Sequence, residues 1–341
     1  MTRLRMILLM VLIASAVSSA EAQGVRLKIA TMAPDGSAWL EELEAAAEEI
    51  TARTDGRVSL RFYPGGTMGG DQAVLRKIRI GQLQGGVLLG GGLAQVDPNF
   101  DIYTLPLLFG SYDEVDFVRN RIDRQLIDRL AGKGLIVFGI WETGFTYLMS
   151  SRARRTFEDL EGSKAWTPQG DPIGLAILSE AGIAPVPLPI SDVLTGLQTG
   201  LIDTVAAPPV GALALQWFTK APYFTDLPIT YVYGGLVISA KSFAKISGTD
   251  QQIVRDVLSP AIERLDRRSR SDNEAARDGL VKQGVTVVEP TEETRIKWNQ
   301  IAARARARLI DERGFDRALV ASIQDLLEEF RTAKTEAGVN D

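Results

Sequence analysis

Apolar and polar positions along the chain follow two alternating periods. Residues 25–29 and 58–62 alternate apolar and polar side chains, and this period of two predicts half-buried strands. Residues 39–50 instead place apolar side chains at helical spacing after Ser37, a suitable N-cap. A second helix is predicted from Asp71 to Gly81. The N-terminal part of the chain therefore predicts repeated strand–helix units.

The same alternation continues through the middle of the chain. The unbroken apolar run 135–140 is typical of a strand buried on both faces, and the prolines in 184–188 predict an edge strand. Helices are predicted from Pro172 to Gly182 and from Ser191 to Gly200. Beyond Thr249 the pattern predicts long helices, one of them capped by Thr291, and one strand at 285–288. Repeated strand–helix alternation predicts an α/β fold with mainly parallel sheets.

The first 22 residues have a different pattern from the rest. Arg3 and Arg5 precede an apolar run, 6–17, that is shorter than the about 20 residues needed to span a bilayer as a helix. Ala20-Glu21-Ala22 then forms a small-x-small cleavage site. These features predict a signal peptide over 1–22, a soluble mature protein in the periplasm, and no direct membrane insertion.

The composition restricts the available chemistry. His and Cys are both absent from the 341 residues, which excludes a Ser-His-Asp triad, a Cys–His pair, an ordinary zinc site and disulfides. We expect no cofactor, no metal and no catalysis. The formal net charge of −5 argues against nucleic acid as a partner. Binding of a small molecule is therefore favoured over an enzymatic reaction.

Five short motifs occur in order between residues 105 and 203. They are LPLLF at 105–109, WETGF at 141–145, DLEGSK at 159–164, PLP at 187–189 and LQTGLID at 197–203. This series resembles the binding subunit of tripartite ATP-independent periplasmic (TRAP) transporters, and the resemblance covers essentially the whole mature chain. It implies a two-domain periplasmic binding protein fold with an interdomain cleft and long C-terminal helices. It also implies delivery of a small-molecule ligand to membrane permease subunits driven by an ion gradient.

The resemblance further implies that the chain crosses between its two domains more than once. We predict that residues 23–145 plus about 234–275 form domain I. Residues of about 146–233 plus 276–341 are predicted to form domain II.

Three positions depart from the family's pattern. The arginine that clamps a carboxylate in the family corresponds here to Trp166, a later asparagine to Ala207, and a basic residue to Thr146. A carboxylate without a paired cation is costly to desolvate. These departures therefore favour a hydrophobic or weakly polar ligand. The K-x-W motif resembles that of a family subgroup associated with hydrophobic ligands.

The predicted site extends from these positions to their neighbours. Pro208 begins an apolar run and Trp217 adds aromatic surface, although both tryptophans also fit a core position. Gln169 lies in a loop that opens a helix, where it fits a polar contact or a cap, and the glycine triplet 90–92 predicts a close backbone approach. The predicted ligand-binding residues are Trp166, Ala207, Pro208, Thr146, Gln169, Trp217, Phe145 and Gly91.

Three alternatives remain open at this point. The first is a conventional binder of organic carboxylates that recruits another cation, such as Arg76, Lys77 or Lys220. The second is a carboxylate-based hydrolase that uses Asp171 or Asp203 with Glu142, which requires two facing carboxylates about 5–10 Å apart. The third is an envelope adaptor or sensor with the same fold.

Overall fold

A computed structural model describes residues 24–339 of the chain. The predicted signal peptide therefore lies outside the described residues. The strands are β1 Val25–Ala30, β2 Val58–Tyr63, β3 Gly85–Leu89, β4 Leu135–Ser150, β5 Lys164–Pro168, β6 Ala184–Leu188, β7 Thr204–Ala207, β8 Tyr223–Ser239 and β9 Thr286–Val288. The α-helices are α1 Ala38–Arg53, α2 Asp71–Arg79, α3 Gly90–Leu93, α4 Tyr112–Gly132, α5 Pro172–Glu180, α6 Val193–Thr199, α7 Pro209–Ala214, α8 Ala240–Phe243, α9 Gly248–Lys282, α10 Glu292–Glu312 and α11 Arg317–Val339.

These strands form one mixed sheet in the order β2-β1-β3-β8-β4-β7-β5-β6, with β9 beside β8. Pairing is parallel at both ends of the sheet and antiparallel where β3, β8, β4 and β7 meet. The predicted α/β fold is confirmed, and the edge position of β6 is confirmed with it. The prediction of parallel strand pairing holds for the strand–helix units at both ends of the sheet. The centre of the sheet is antiparallel, because the long strands β4 and β8 run in opposite directions.

The long strands β4 and β8 connect two lobes. We call β1–β3 with their helices the first lobe, and β5–β7 with theirs the second lobe. The register between β4 and β8 shifts between Glu142 and Gly144 and again between Thr146 and Tyr147, and such bulges bend a strand pair. The predicted residue boundaries of the two domains stay a prediction.

Helix α9, with 35 residues, contacts both lobes. Its Arg264 pairs with Glu42 of α1 at 2.7 Å. Nine residues later, the side chain of Asn273 accepts a hydrogen bond from the Val210 backbone of α7 at 3.2 Å and donates one to the Thr143 carbonyl at 2.8 Å. The helix therefore crosses the joint between the lobes next to strand β4.

Helix starts agree with the predicted caps in most cases. The side chains of Ser37 and Thr291 accept hydrogen bonds at the starts of α1 and α10, and Pro172 occupies the first turn of α5. The exception is the helix predicted to begin at Ser191. That hydroxyl contacts the Asp192 carboxylate at 3.0 Å, residues 190–192 form a 3₁₀ turn, and α6 begins at Val193.

Candidate functional site

A cavity of about 680 Å³ lies between the lobes and is lined by both of them. This volume is within the range of small-molecule pockets, roughly 300–1,000 Å³. The first lobe contributes the segments 31–34 and 37–39. The second lobe contributes residues 165–168 of β5, the whole of β7 and one face of α5, and the floor comes from β4 and β8.

The lining is mainly apolar and carries no positive charge. Among the described residues that line the cavity there is no Lys or Arg, and the only ionisable side chains are Asp171 and Asp272. Asp171 is the N-cap of α5, and its carboxylate accepts hydrogen bonds from the backbone of Ile173 at 2.9 Å and Gly174 at 3.1 Å. Burial raises the pKa of Asp171, and these hydrogen bonds oppose that shift. An anion would therefore meet two carboxylates, of which Asp272 is paired with Arg268 at 3.8 Å, and no Lys or Arg on the described cavity wall.

Five of the eight predicted site residues lie on the cavity wall. They are Thr146, Trp166, Ala207, Pro208 and Trp217. Gln169 is exposed in the loop before α5 and does not line the cavity. Phe145 packs in the core against Tyr112 and Tyr231, with ring centroids 4.8 and 5.5 Å apart.

The glycine triplet does make close approaches, but at its outer members. A Cβ on Gly90 would lie 3.0 Å from the Tyr233 ring, and one on Gly92 would lie 2.2 Å from the Asp71 carboxylate. Gly91 is exposed, and its Cβ would be in ordinary contact, 3.8 Å from Asp101. None of the three lines the cavity.

Trp166 borders the cavity while most of its indole packs inside the second lobe. The ring lies edge-on to Trp217 at 5.1 Å, and its Nε1–H donates to the Leu188 carbonyl at 3.0 Å. Only 7% of the residue is exposed. The position thus combines the two roles considered from the sequence, a core tryptophan and a cavity wall, and it offers a ligand only a small part of its apolar surface.

Three lining hydroxyl groups lie on the floor, where β4 and β8 pair. The Thr146 and Thr230 hydroxyls contact each other at 2.8 Å. Thr143, also a lining residue, is 9% exposed, and its hydroxyl has no hydrogen-bond partner. The motif at 141–145 contains Thr143, but an isolated threonine in a strand gave no signal that its hydroxyl would be left free.

The carboxylates considered for catalysis have structural partners. Glu142 is 1% exposed and is bound by Arg270 Nε at 2.6 Å and by the Tyr231 hydroxyl at 2.8 Å. Asp203 accepts hydrogen bonds from the Lys164 backbone at 3.1 Å and from the Thr204 hydroxyl at 2.8 Å. Neither lines the cavity, so they do not form a facing pair there.

The cations considered for a carboxylate ligand also lie away from the cavity. Lys77 donates to the Met68 carbonyl at 2.8 Å, whereas Arg76 and Lys220 are exposed. None of the three lines the cavity. Within residues 24–339 there is no group of three or more acidic side chains arranged to hold a metal ion, and no helix long and apolar enough to cross a bilayer.

Two lobes that share a sheet and enclose a cavity at their joint are the arrangement of a periplasmic binding protein. The family model of bacterial extracellular solute-binding protein, family 7 (DctP), matches residues 29–312. The chain belongs to this family of TRAP solute-binding proteins, which are periplasmic transport components without enzymatic activity.

Curated relatives cover most of the chain. The 2,3-diketo-L-gulonate-binding periplasmic protein YiaO of Escherichia coli is 27% identical over 244 residues, which is 70% of this chain and 73% of that protein. The C4-dicarboxylate-binding periplasmic protein DctP of Rhodobacter capsulatus is 23% identical over 281 residues, which is 79% and 81% of the two chains.

Solved structures confirm the fold. The sugar acid binding protein DctPAm of Advenella mimigardefordensis, in complex with galactonate, has a TM-score of 0.82 and 23% identity and covers 90% of this chain and 99% of its own. A TRAP periplasmic solute-binding protein of Chromohalobacter salexigens with bound D-glucuronate has a TM-score of 0.81 and 21% identity, with 88% and 99% covered. At these identities the likeness establishes the fold, while the ligands belong to those proteins.

Proposed function

We propose that the protein captures an uncharged ligand with substantial apolar surface and delivers it to the permease subunits of a TRAP transporter. One observation carries this proposal: none of the described residues on the cavity wall is a Lys or Arg. A carboxylate moved from water into such a cavity loses several kcal/mol of hydration without a compensating ion pair. Trp166, at the position of the family's arginine, supports the same conclusion.

The second candidate is a conventional carboxylate binder. The known relatives favour it, because YiaO and DctP bind a keto sugar acid and C4-dicarboxylates, and the two solved structures hold galactonate and D-glucuronate. In this chain, carboxylate binding requires a Lys or Arg that does not line the cavity in the structure to reach the ligand.

Calorimetry with a charged ligand and its neutral counterpart separates the two candidates. D-glucuronate and its uncharged methyl ester have nearly the same shape, so they differ mainly in the carboxylate. We expect no measurable binding of D-glucuronate, C4-dicarboxylates or keto acids, and binding of apolar compounds with a negative heat-capacity change and little dependence on salt.

Native mass spectrometry of the purified protein, followed by solvent extraction, identifies any ligand that copurifies. An apolar compound in the extract supports the proposal. Micromolar or tighter binding of a sugar acid or small dicarboxylate to the wild-type protein would overturn it in favour of the carboxylate binder.

A further inference from the structure

The cavity extends beyond the joint between the lobes and reaches beneath helix α5. Along β4 its lining begins at Thr143 and continues through Thr146 and Leu148. At the far end it includes Ala165 and Thr204, which are paired with each other, and Thr204 is level with Ser150 of β4. From the level of Thr143 to that of Ser150 there are seven residues, which at about 3.3 Å per residue is roughly 20 Å of strand.

The far end of the cavity is lined by buried residues of the hydrophobic core. The lining residues there belong to one core cluster, and each of them is less than a tenth exposed; they are Leu148, Ala165, Ile173, Ile177, Leu178, Ile229 and Trp298. The Thr204 hydroxyl at this end already donates to Asp203. A space lined by apolar side chains of this kind accepts apolar groups. We call it the apolar branch.

The opposite end, at the joint, is polar and is not anion-binding. The Thr143 hydroxyl there is buried without a partner, and leaving such a group unpaired costs about 1–3 kcal/mol. Asn273 of α9 holds the Thr143 carbonyl, and Ser269 and Asp272 of the same helix line the cavity. A neutral hydroxyl or carbonyl group on a ligand would satisfy Thr143, whereas an anion would find no Lys or Arg on the described cavity wall.

From these two ends we infer that the ligand is an amphiphile, with one uncharged hydrogen-bonding head at Thr143 and an apolar chain that lies beneath α5 towards Trp298. This inference rests on the proposed function, because it assigns the orientation of an apolar ligand in the same cavity. Head and chain are recognised by different residues, so each can be tested separately.

A series of straight-chain 1-alkanols, from pentanol to decanol, provides the probes. Each added methylene that enters the apolar branch raises affinity about fourfold, the equivalent of about 0.8 kcal/mol. We expect affinity in calorimetry to rise with chain length until the branch is filled and then to level off.

Variants at the two ends change this dependence in different ways. Ala165→Leu fills the branch, so it weakens the longest alkanols at least tenfold and leaves pentanol unaffected. Ala303→Leu, at an exposed position of α10, is the matched control and changes neither. Thr143→Val weakens every alkanol by the same factor, about twofold to tenfold, as expected for one lost hydrogen bond; Thr143→Ser retains the hydroxyl and restores binding.

Thermal unfolding gives an independent readout of the empty space. Ala165→Leu leaves the melting temperature unchanged or raises it if the branch exists, and lowers it if the core is already full, since overpacking destabilises. Leu178→Phe fills the same branch from α5 and is used if Ala165→Leu does not fold.

The outcomes separate this inference from the function on which it rests. Affinity that is independent of chain length, or an Ala165→Leu variant that weakens all alkanols equally, overturns the inference and leaves an apolar ligand in place. The absence of alkanol binding together with binding of another apolar compound also overturns only the inference. The absence of any apolar ligand together with binding of D-glucuronate overturns both.

Discussion

Replacing Trp166 by arginine tests whether this position excludes a carboxylate. The substitution introduces the residue type that the family resemblance implies at this position. In this chain, however, the indole is held by its edge-on contact with Trp217 and by a hydrogen bond to the Leu188 carbonyl. Arginine loses the edge-on packing of the indole, and it places a cation on a cavity wall to which the apolar residues Ala207 and Pro208 also contribute.

The expected loss of stability follows from what the indole contributes. Removing a buried tryptophan costs about 3–5 kcal/mol, of which the edge-on ring contact accounts for about 0.5–1.5 kcal/mol. At about 2–4 °C per kcal/mol for proteins of this approximate size, the melting temperature falls by roughly 6–20 °C. Trp166→Phe keeps an aromatic ring and loses mainly the hydrogen bond, about 0.5–1.5 kcal/mol, and serves as the control.

Calorimetry measures the functional consequence at a temperature where circular dichroism shows both variants to be folded. We expect Trp166→Arg to weaken an apolar ligand and to leave D-glucuronate unbound, because Ala207 and Thr146 still provide no further anchor for a sugar acid. The reasoning is refuted if Trp166→Arg is as stable as the wild type and binds D-glucuronate. That result would mean that the cavity is already arranged for a carboxylate.

Three further predictions concern stability and chemistry. Burial raises the pKa of Asp71 from 3.8 to about 7, so the folded state holds a proton that the unfolded state releases. The free energy of unfolding therefore falls as pH rises from about 4 to about 7. Asp71→Asn should remove this decrease, which amounts to at most about 4 kcal/mol. If the wild type and Asp71→Asn show the same pH profile in urea unfolding, the prediction is contradicted. Glu142→Gln should cost about 1–3 kcal/mol, because the buried side chain loses its charge-assisted hydrogen bond with Arg270, while Arg270 keeps Asp116. Neither the wild type nor this variant should turn over glycosides, esters or phosphates; a measurable wild-type turnover that a folded Glu142→Gln variant lacks would restore the hydrolase hypothesis. Gly174→Ala should lower the free energy of unfolding by about 1–3 kcal/mol, since the new methyl group would lie 2.2 Å from the Thr167 hydroxyl oxygen. An unchanged melting temperature would contradict this, because it would mean that α5 shifts to accommodate the methyl group without cost.

Local sequence signals predicted the elements well where short-range physics determines them. Ser37, Thr291 and Pro172 mark helix starts because caps and first-turn prolines act within a few residues. Ser191 failed as a cap because its hydroxyl contacts Asp192, a competition between neighbours that a pattern of residue types does not resolve. The length of β4 was also underestimated, since its second half, from Trp141, follows no simple period.

The candidate site was only partly accessible from the sequence. The motif alignment identified Trp166, Ala207 and Thr146 as departures, and all three lie on the cavity wall. The apolar branch and the unpaired hydroxyl of Thr143 were not predicted. Both depend on which side chains leave space between α5, β5 and α10, and packing of that kind involves residues more than a hundred positions apart.

The sequence by itself determined the family, the alternating elements and a chemistry without His or Cys, because these follow from residue types and short-range order. The tertiary structure alone decided how β4 and β8 run antiparallel through both lobes and where the cavity lies between them. It also decided that Glu142 is paired with Arg270 and that no Lys or Arg within residues 24–339 lines the cavity. Whether a charge is paired, buried or exposed depends on distances across the fold, and only the folded chain sets those distances.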